Sequence, residues 1–331
     1  MQLVAYDPHN KKIDDINNKT SDDRISHDTG YSYFQRNGLT GTVTIYRGGD
    51  MWKPEFILVE QSDEKIRIKT IQLEIGGQII MDFDMNFIKQ IFPDMIQIKD
   101  NKVIYYLNLD KFNSNEYINM ITMSFHEVKI IIKLTDTNNI NDIKLYNNYR
   151  YLETQPRRDM TQKNHEHIIL QHRTKETLVD KNELKWFPVN FNGISNGIFI
   201  ETTSGIDNIE SLIIQLDEQI YRNYDAFEID YLGHKFNDNL IFIPFTPKTH
   251  HLSFDMSTSL NFGRVGKTNI NIKGKGPLGL IKFHILRANI FKTEKGMGET
   301  LFNLDTEDTK FKNIYDSYII VNRFDNTNKQ K

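Results

Sequence analysis

The chain contains no cysteine. A disulfide framework and a thiolate metal site are therefore excluded, and the composition suits a reducing compartment. No apolar run approaches the ~18 residues that a membrane-spanning helix needs. The opening Met1-Gln-Leu-Val-Ala-Tyr6 is short and polar-flanked, so no signal peptide is expected. A basic arm is missing too: 41 Lys and Arg stand against 44 Asp and Glu, for a net charge of −3. Phosphate neutralisation needs such an arm or stripe, so no direct contact with nucleic acid is expected. A phosphate-binding loop is also absent. Gly266-Lys267-Thr268 resembles the end of one, but the earlier glycine would fall at Asn261, and Asn269–Lys273 alternates like a strand.

What is present suits a folded β protein. The 331 residues are 38% hydrophobic and 26% charged, enough for one large or two modest domains. Isoleucine, asparagine and lysine are abundant at the expense of alanine and glycine, which AT-rich codon usage explains.

Residues 7–30 are polar and turn-rich, and read as an extended arm or loop. Beyond them the dominant period is two, the spacing of a half-buried strand. Val43 and Ile45 alternate with Thr42, Thr44 and Tyr46, and Leu73 and Ile75 lead to Gly76-Gly77, a two-residue hairpin signal. The parity slips between Ile66–Ile68 and Ile71–Ile75, and again between Ile121–Phe125 and Val128–Leu134. Each slip predicts a β-bulge in a continuous strand. Two short helices are expected. Met85, Ile88 and Phe92 fall at helical spacing between a capping Asp84 and Pro93, and a second helix starts near Thr154 with Pro156 in its first turn. Alternation then predicts strands at Leu212–Leu216, Phe227–Tyr231, Leu252–Met256 and Ile281–Ile285. The tail from Asp305 is charged but interrupted by Ile314, Tyr315 and residues 318–321, and is open between a strand, a helix and a docking arm.

Seven stretches, in order, carry a resemblance: Met1–Tyr6, Gly41–Asp50, Ile71–Gln78, Met123–Ile130, Tyr151–Arg158 with Asn164–His167, Ser259–Arg264, and Gly296–Gly298. Together they resemble the major capsid proteins of nucleocytoplasmic large DNA viruses. The resemblance implies an all-β fold of two jelly-roll β-sandwiches in tandem with a short helical linker. Its divisions would be an arm (1–30), a first roll (31–150), the linker (151–164), a second roll (165–304) and a tail (305–331). It also implies a homotrimer with a pseudo-hexagonal outline that tiles an icosahedral shell. Neighbouring capsomers and minor capsid proteins would be its partners, with room for an inner-membrane contact through the arm. The location implied is the virion, with assembly in the host cytoplasm. Departures occur after Tyr6, at Gln155-Pro156 and at Asp159, and the chain is short for that family, which implies trimmed outer loops. Arg157 and Arg158 are expected to tie the linker to carboxylates or carbonyls, or else to form a solvated helix face.

Signals for chemistry are weak. Gly193-Ile-Ser-Asn-Gly197 fits a nucleophile elbow, but a strand-like run follows where a helix is required. His165 and His167 share a strand face without a third ligand, and His126-Glu127 lacks the second histidine of a zinc helix. Asp82 and Asp84 could present paired carboxylates, yet capping of the helix at Met85 accounts for Asp84. Asn18-Lys-Thr20 is the one glycosylation sequon, and Trp52 and Trp186 are isolated and read as packing residues. No catalytic, cofactor-binding or metal residue is assigned, and no cofactor is expected. A transient scaffold or minor capsid protein of the same fold is the near alternative. A β-sandwich carbohydrate-binding or glycoside-cleaving protein is the alternative of another class.

Overall fold

The computed structural model describes residues 26–33, 35–61, 67–99, 102–115, 117–135, 143–246, 249–257 and 259–301. The sequon at Asn18, residue Ile66 and the tail from Asp305 lie outside them. Alternating apolar residues become antiparallel strands, and the strands collect into two compact units. One holds the described residues up to His172 together with Ile290–Thr300, and the other holds Arg173–Asn289.

In the first unit one sheet runs Gln35–Asn37, Thr40–Ile45, Val128–Leu134, Ile68–Ile75, Gln78–Asp84. The early strand Thr40–Ile45 lies beside the much later Val128–Leu134, the crossing connection of a jelly roll. Register decides what is buried. Ile130 sits opposite both Val43 and Leu73, Val128 opposite Ile45 and Ile75, and all are buried. Each such side chain contributes roughly 1.5–3 kcal/mol when withdrawn from water. The second sheet runs Ser26–Tyr33, Ile143–Tyr151, Met51–Gln61, Lys102–Asn108, Ile96–Lys99, with Ile118–Asn119 also paired to Met51–Gln61. From this sheet the buried Tyr105 hydroxyl accepts the Arg67 amide at 3.3 Å, at the threshold of Ile68–Ile75 in the other.

Several predicted details are found. Gly76 and Gly77 turn the hairpin with φ of 59° and 83°, as a type I′ turn requires. The slip after Ile68 is a bulge: Lys133 pairs with Thr70 and Leu134 with Ile68, which skips Lys69. Helix Met85–Ile91 is capped by the Asp84 carboxylate, which accepts the Asn86 and Phe87 amides, and it ends before Pro93. Helix Thr154–Gln162 buries none of its residues.

In the second unit, one sheet runs His234–Asn237, Leu240–Pro244, Gly197–Thr202, Gly279–Glu294, Ile194–Ser195, Leu260–Asn261. The other runs Glu183–Pro188, Thr268–Gly274, Ile209–Leu216, Gln219–Asp225. Ile198, Ile200 and Phe283 from the first sheet and Leu212, Ile214 and Ile270 from the second share one buried cluster. This is a two-layer sandwich.

Four expectations fail. Ile121–Met123 is a 3-10 turn, and the strand starts only at Val128. The Asp50 carbonyl takes the Met120 and Ile121 amides, and Asn119 takes the Thr122 amide, so the local polar groups favour a turn. Phe227, Ile229 and Tyr231 lie on helix Ala226–Leu232. Asp225 and Glu228 close a reciprocal capping box there that outweighs the alternation. Residues 252–256 form no strand. The Leu252, Asp255 and Ser257 amides are taken by the side chains of His250, Ser253 and Asp255. Finally, strand Ser26–Tyr33 takes in residues 26–30 of the stretch read as an arm, through pairing with Ile143–Tyr151.

Candidate functional site: a glycine-lined node around Asp50

Five of the seven motif stretches meet within the first unit, around a buried carboxylate. Asp50 is 5% exposed. Its Oδ1 receives Arg157 Nε at 3.0 Å, and its Oδ2 receives the Leu152 amide at 2.8 Å. Its own amide donates to Arg150 O, and its carbonyl accepts the Met120 and Ile121 amides. One residue thus joins the strand Ile143–Tyr151, the exposed helix Thr154–Gln162 and the turn at Ile121. Of the two arginines expected to bind a carboxylate, the structure brings Arg157 to one. Arg158 lies exposed on the helix, its carbonyl accepting the Thr161 hydroxyl.

Around this carboxylate the backbone approaches too closely for side chains. A Cβ on Gly49 would lie 2.8 Å from the Tyr149 Cβ, and one on Gly48 would lie 3.0 Å from the Tyr149 ring. The Tyr151 hydroxyl donates to the Gly48 carbonyl. Arg47 Nη2 reaches the carbonyls of Met123 and His126 at 2.6 and 3.0 Å. His126 then links the hairpin to the closing segment. A Cβ on Gly76 would lie 2.3 Å from His126 Nδ1, and that nitrogen accepts the Gly298 amide at 3.1 Å. Phe125 N donates to Gly296 O at 2.8 Å, and the buried Thr122 and Thr293 hydroxyls bond at 3.0 Å. The node is an arrangement for holding backbone segments together. It offers no nucleophile beside a base.

The other candidates resolve into structural roles. Ser195 is 1% exposed, donates to Gly197 O at 2.9 Å and precedes strand Gly197–Thr202, so the helix that an elbow requires is replaced by a strand. Asp84 is committed to its helix cap, which removes the carboxylate pair with Asp82. His165 Nε2 lies 2.9 Å from Met160 O. The ring nitrogens of His167 are buried without partners, its ring stands edge-on to Phe291, and burial, then the neighbouring His165, lowers its pKa to about 4. Among the described residues, no group of three or more potential ligands is placed to hold a metal ion. Trp52 is fully buried, with Nε1 3.3 Å from Asn147 Oδ1, while Trp186 is partly exposed with a positive φ of 44°. The signal for Asp50 was its place in Gly48-Gly49-Asp50, two glycines before a carboxylate. Its partner, distant in sequence, left no local trace.

No family model and no curated protein matches the chain. Solved structures do. VP54 of PBCV-1, a structure fitted into a reconstruction of the virophage Sputnik, aligns with a TM-score of 0.69 at 13% identity, covering 88% of this chain and 99% of that one. The Faustovirus major capsid protein aligns at 0.54 and 7% identity, covering 85% and 92%. The STIV major capsid protein aligns at 0.51 and 8%, covering 80% and 96%. At such identities the shared information is the burial pattern and strand order. Two antiparallel sandwiches, the crossing connections within them and a match spanning nearly all of each neighbour give this chain the double jelly-roll fold of the viral major capsid proteins.

Proposed function

We propose that the chain is a structural subunit of a viral capsid and not an enzyme. The observation that carries this reading is the alignment with VP54 over 99% of that protein, and a chain of a quasi-atomic model of the PBCV-1 virus capsid aligns over the same share. The node around Asp50 supports it, since its carboxylate, Arg47, Arg157 and Tyr151 are all bonded to backbone or to one another and hold the chain. One surface feature is consistent with subunit contacts. Phe227 and Tyr231, each more than two-thirds exposed, stack on one another, and an adjoining pair of exposed rings favours burial against another chain.

In this reading three copies form a capsomer with a pseudo-hexagonal outline, through head-to-tail contacts that close into a ring. Capsomers then tile an icosahedral shell with neighbouring capsomers and minor capsid proteins, in particles assembled in the host cytoplasm. No nucleic-acid contact is assigned, and an inner-membrane contact would fall to the N-terminal arm, residues 1–30. Light scattering behind size-exclusion chromatography, with negative-stain images of the main peak, tests the reading. The expected result is a trimer with a hexagonal outline. A strict monomer at all concentrations would overturn it.

A further inference from the structure

Alternation along Gly197–Thr202 and Leu240–Pro244 sends Ile198, Ile200, Ile241 and Ile243 into the sandwich core, and Phe199 and Phe242 to the opposite face. On that face lies the strand-free segment of residues 249–257. Its anchor is His251, 9% exposed. Its ring stands 5.0 Å from Phe236 and 6.0 Å from both Phe199 and Phe242, edge-on or steeply inclined to each. The His234 ring stacks on it at 5.9 Å and the His250 ring lies tilted against it at 4.2 Å, both from exposed positions. His251 Nε2 is buried without a hydrogen-bond partner. Asn196 Nδ2 donates to Ser253 O at 2.8 Å, and within the segment short-range turns form, such as Ser253 N to His250 O.

We propose that residues 249–257 form a strap, closed over the Phe199, Phe236 and Phe242 rings while His251 is neutral and released when acid protonates it. Among the described residues, no unpaired carboxylate faces the His251 ring within this aromatic box. From the segment itself the titratable groups are His250 and Asp255, and the Asp255 carboxylate is occupied by the Ser257 amide. From the edge strand come His234 and Lys235, and Lys235 is paired with Asp207 and Asp238. Leu240–Pro244 brings no charge, and Glu201 of the central strand is engaged by His284 and Lys282. Thus the charges that act on His251 are the two neighbouring histidines, which repel it once protonated. Burial, then His250 and His234, lower its pKa to about 3.

Linkage fixes the sign. A ring that titrates at its ordinary value when the strap is open and about 3 when closed binds its proton preferentially in the open state. Opening therefore becomes easier as pH falls below about 6.5, roughly tenfold per pH unit and about thirtyfold by pH 5. Hydrogen exchange of the full chain from pH 7.5 to 5, corrected for intrinsic rates, reads this directly. Amides in residues 249–257 should lose protection on that slope while the Ile270–Ile272 amides do not. The H251F variant keeps a ring in the box and should flatten the slope. Equal slopes in parent and variant, or a flat parent, would overturn the proposal. Should H251F fail to fold, a ring-carbon NMR titration of the parent decides: His251 still neutral at pH 5 in the closed form is expected, and an ordinary titration near 6.5 overturns it.

Discussion

At the scale of single residues, close approach and one buried charge tie the motif segments of the first unit to one another. Asp50 and Arg157 form one ion pair, and the carboxylate is its buried half. Asp50→Ala removes the acceptor of the Leu152 amide while the exposed guanidinium takes up water, at a cost of about 1–3 kcal/mol in urea unfolding. Arg157→Ala leaves a carboxylate only 7% exposed without its cation and should cost a similar amount. A loss near zero for Arg157→Ala would mean that the Leu152 amide alone holds Asp50. The hairpin glycines do differ. Gly77→Ala meets open space and bears only the left-handed backbone cost of about 1 kcal/mol, whereas Gly76→Ala must also displace His126. Thermal melts should rank Gly76→Ala clearly below Gly77→Ala.

At the scale of elements, the sequence was legible where two signals agreed. The Gly76-Gly77 pair lay between alternating runs. Asp84 and Pro93 bracketed a helical spacing, and those elements stand as read. Residues 227–231 were misread because Phe227, Ile229 and Tyr231 satisfy a strand period, while Phe227 and Tyr231 also sit one helical turn apart and stack, exposed, with their planes 5° apart. The overlooked signal was Asp225 with Glu228, the capping box. Removing it by Asp225→Ala should cost about 1 kcal/mol and lower the exchange protection of the Gly233 amide, which donates to Ile229. The turn at Ile121 was hidden for another reason. Its partners, Asp50 and Arg47, arrive from distant sequence, and periodicity carries no information about them.

At the scale of the whole molecule, each unit holds a buried histidine whose neutral form the fold prefers, His167 in one and His251 in the other. Both pKa values are lowered, so the unfolded chain takes up protons that the native chain refuses. Stability is then fully present above about pH 6.5 and falls as the pH drops toward 4. For His167 alone the loss is on the order of 3 kcal/mol. Urea midpoints at pH 7 and pH 4.5 should separate accordingly, and His167→Phe should narrow the gap. A gap unchanged by that substitution would place the acid sensitivity elsewhere. The strand order was not readable at this scale, because Thr40–Ile45 beside Val128–Leu134 is a choice among many pairings of similar apolar strands. The ordered motif series pointed to the fold, and five of its seven stretches meet at the node.

The closing segment of that node has a consequence for biosynthesis. Gly296 and Gly298 lock onto Phe125 and His126, and Thr293 onto Thr122, so the first unit draws its last pieces from beyond Arg173–Asn289 of the second. A ribosome releases the chain from its N-terminus, and domains usually fold in that order. Here the earlier-made unit waits, incomplete, with its Phe125–His126 corner open until residues 173–300 have emerged. A nascent chain stalled short of Thr293 should therefore leave its first unit sensitive to protease, however long it is given to fold.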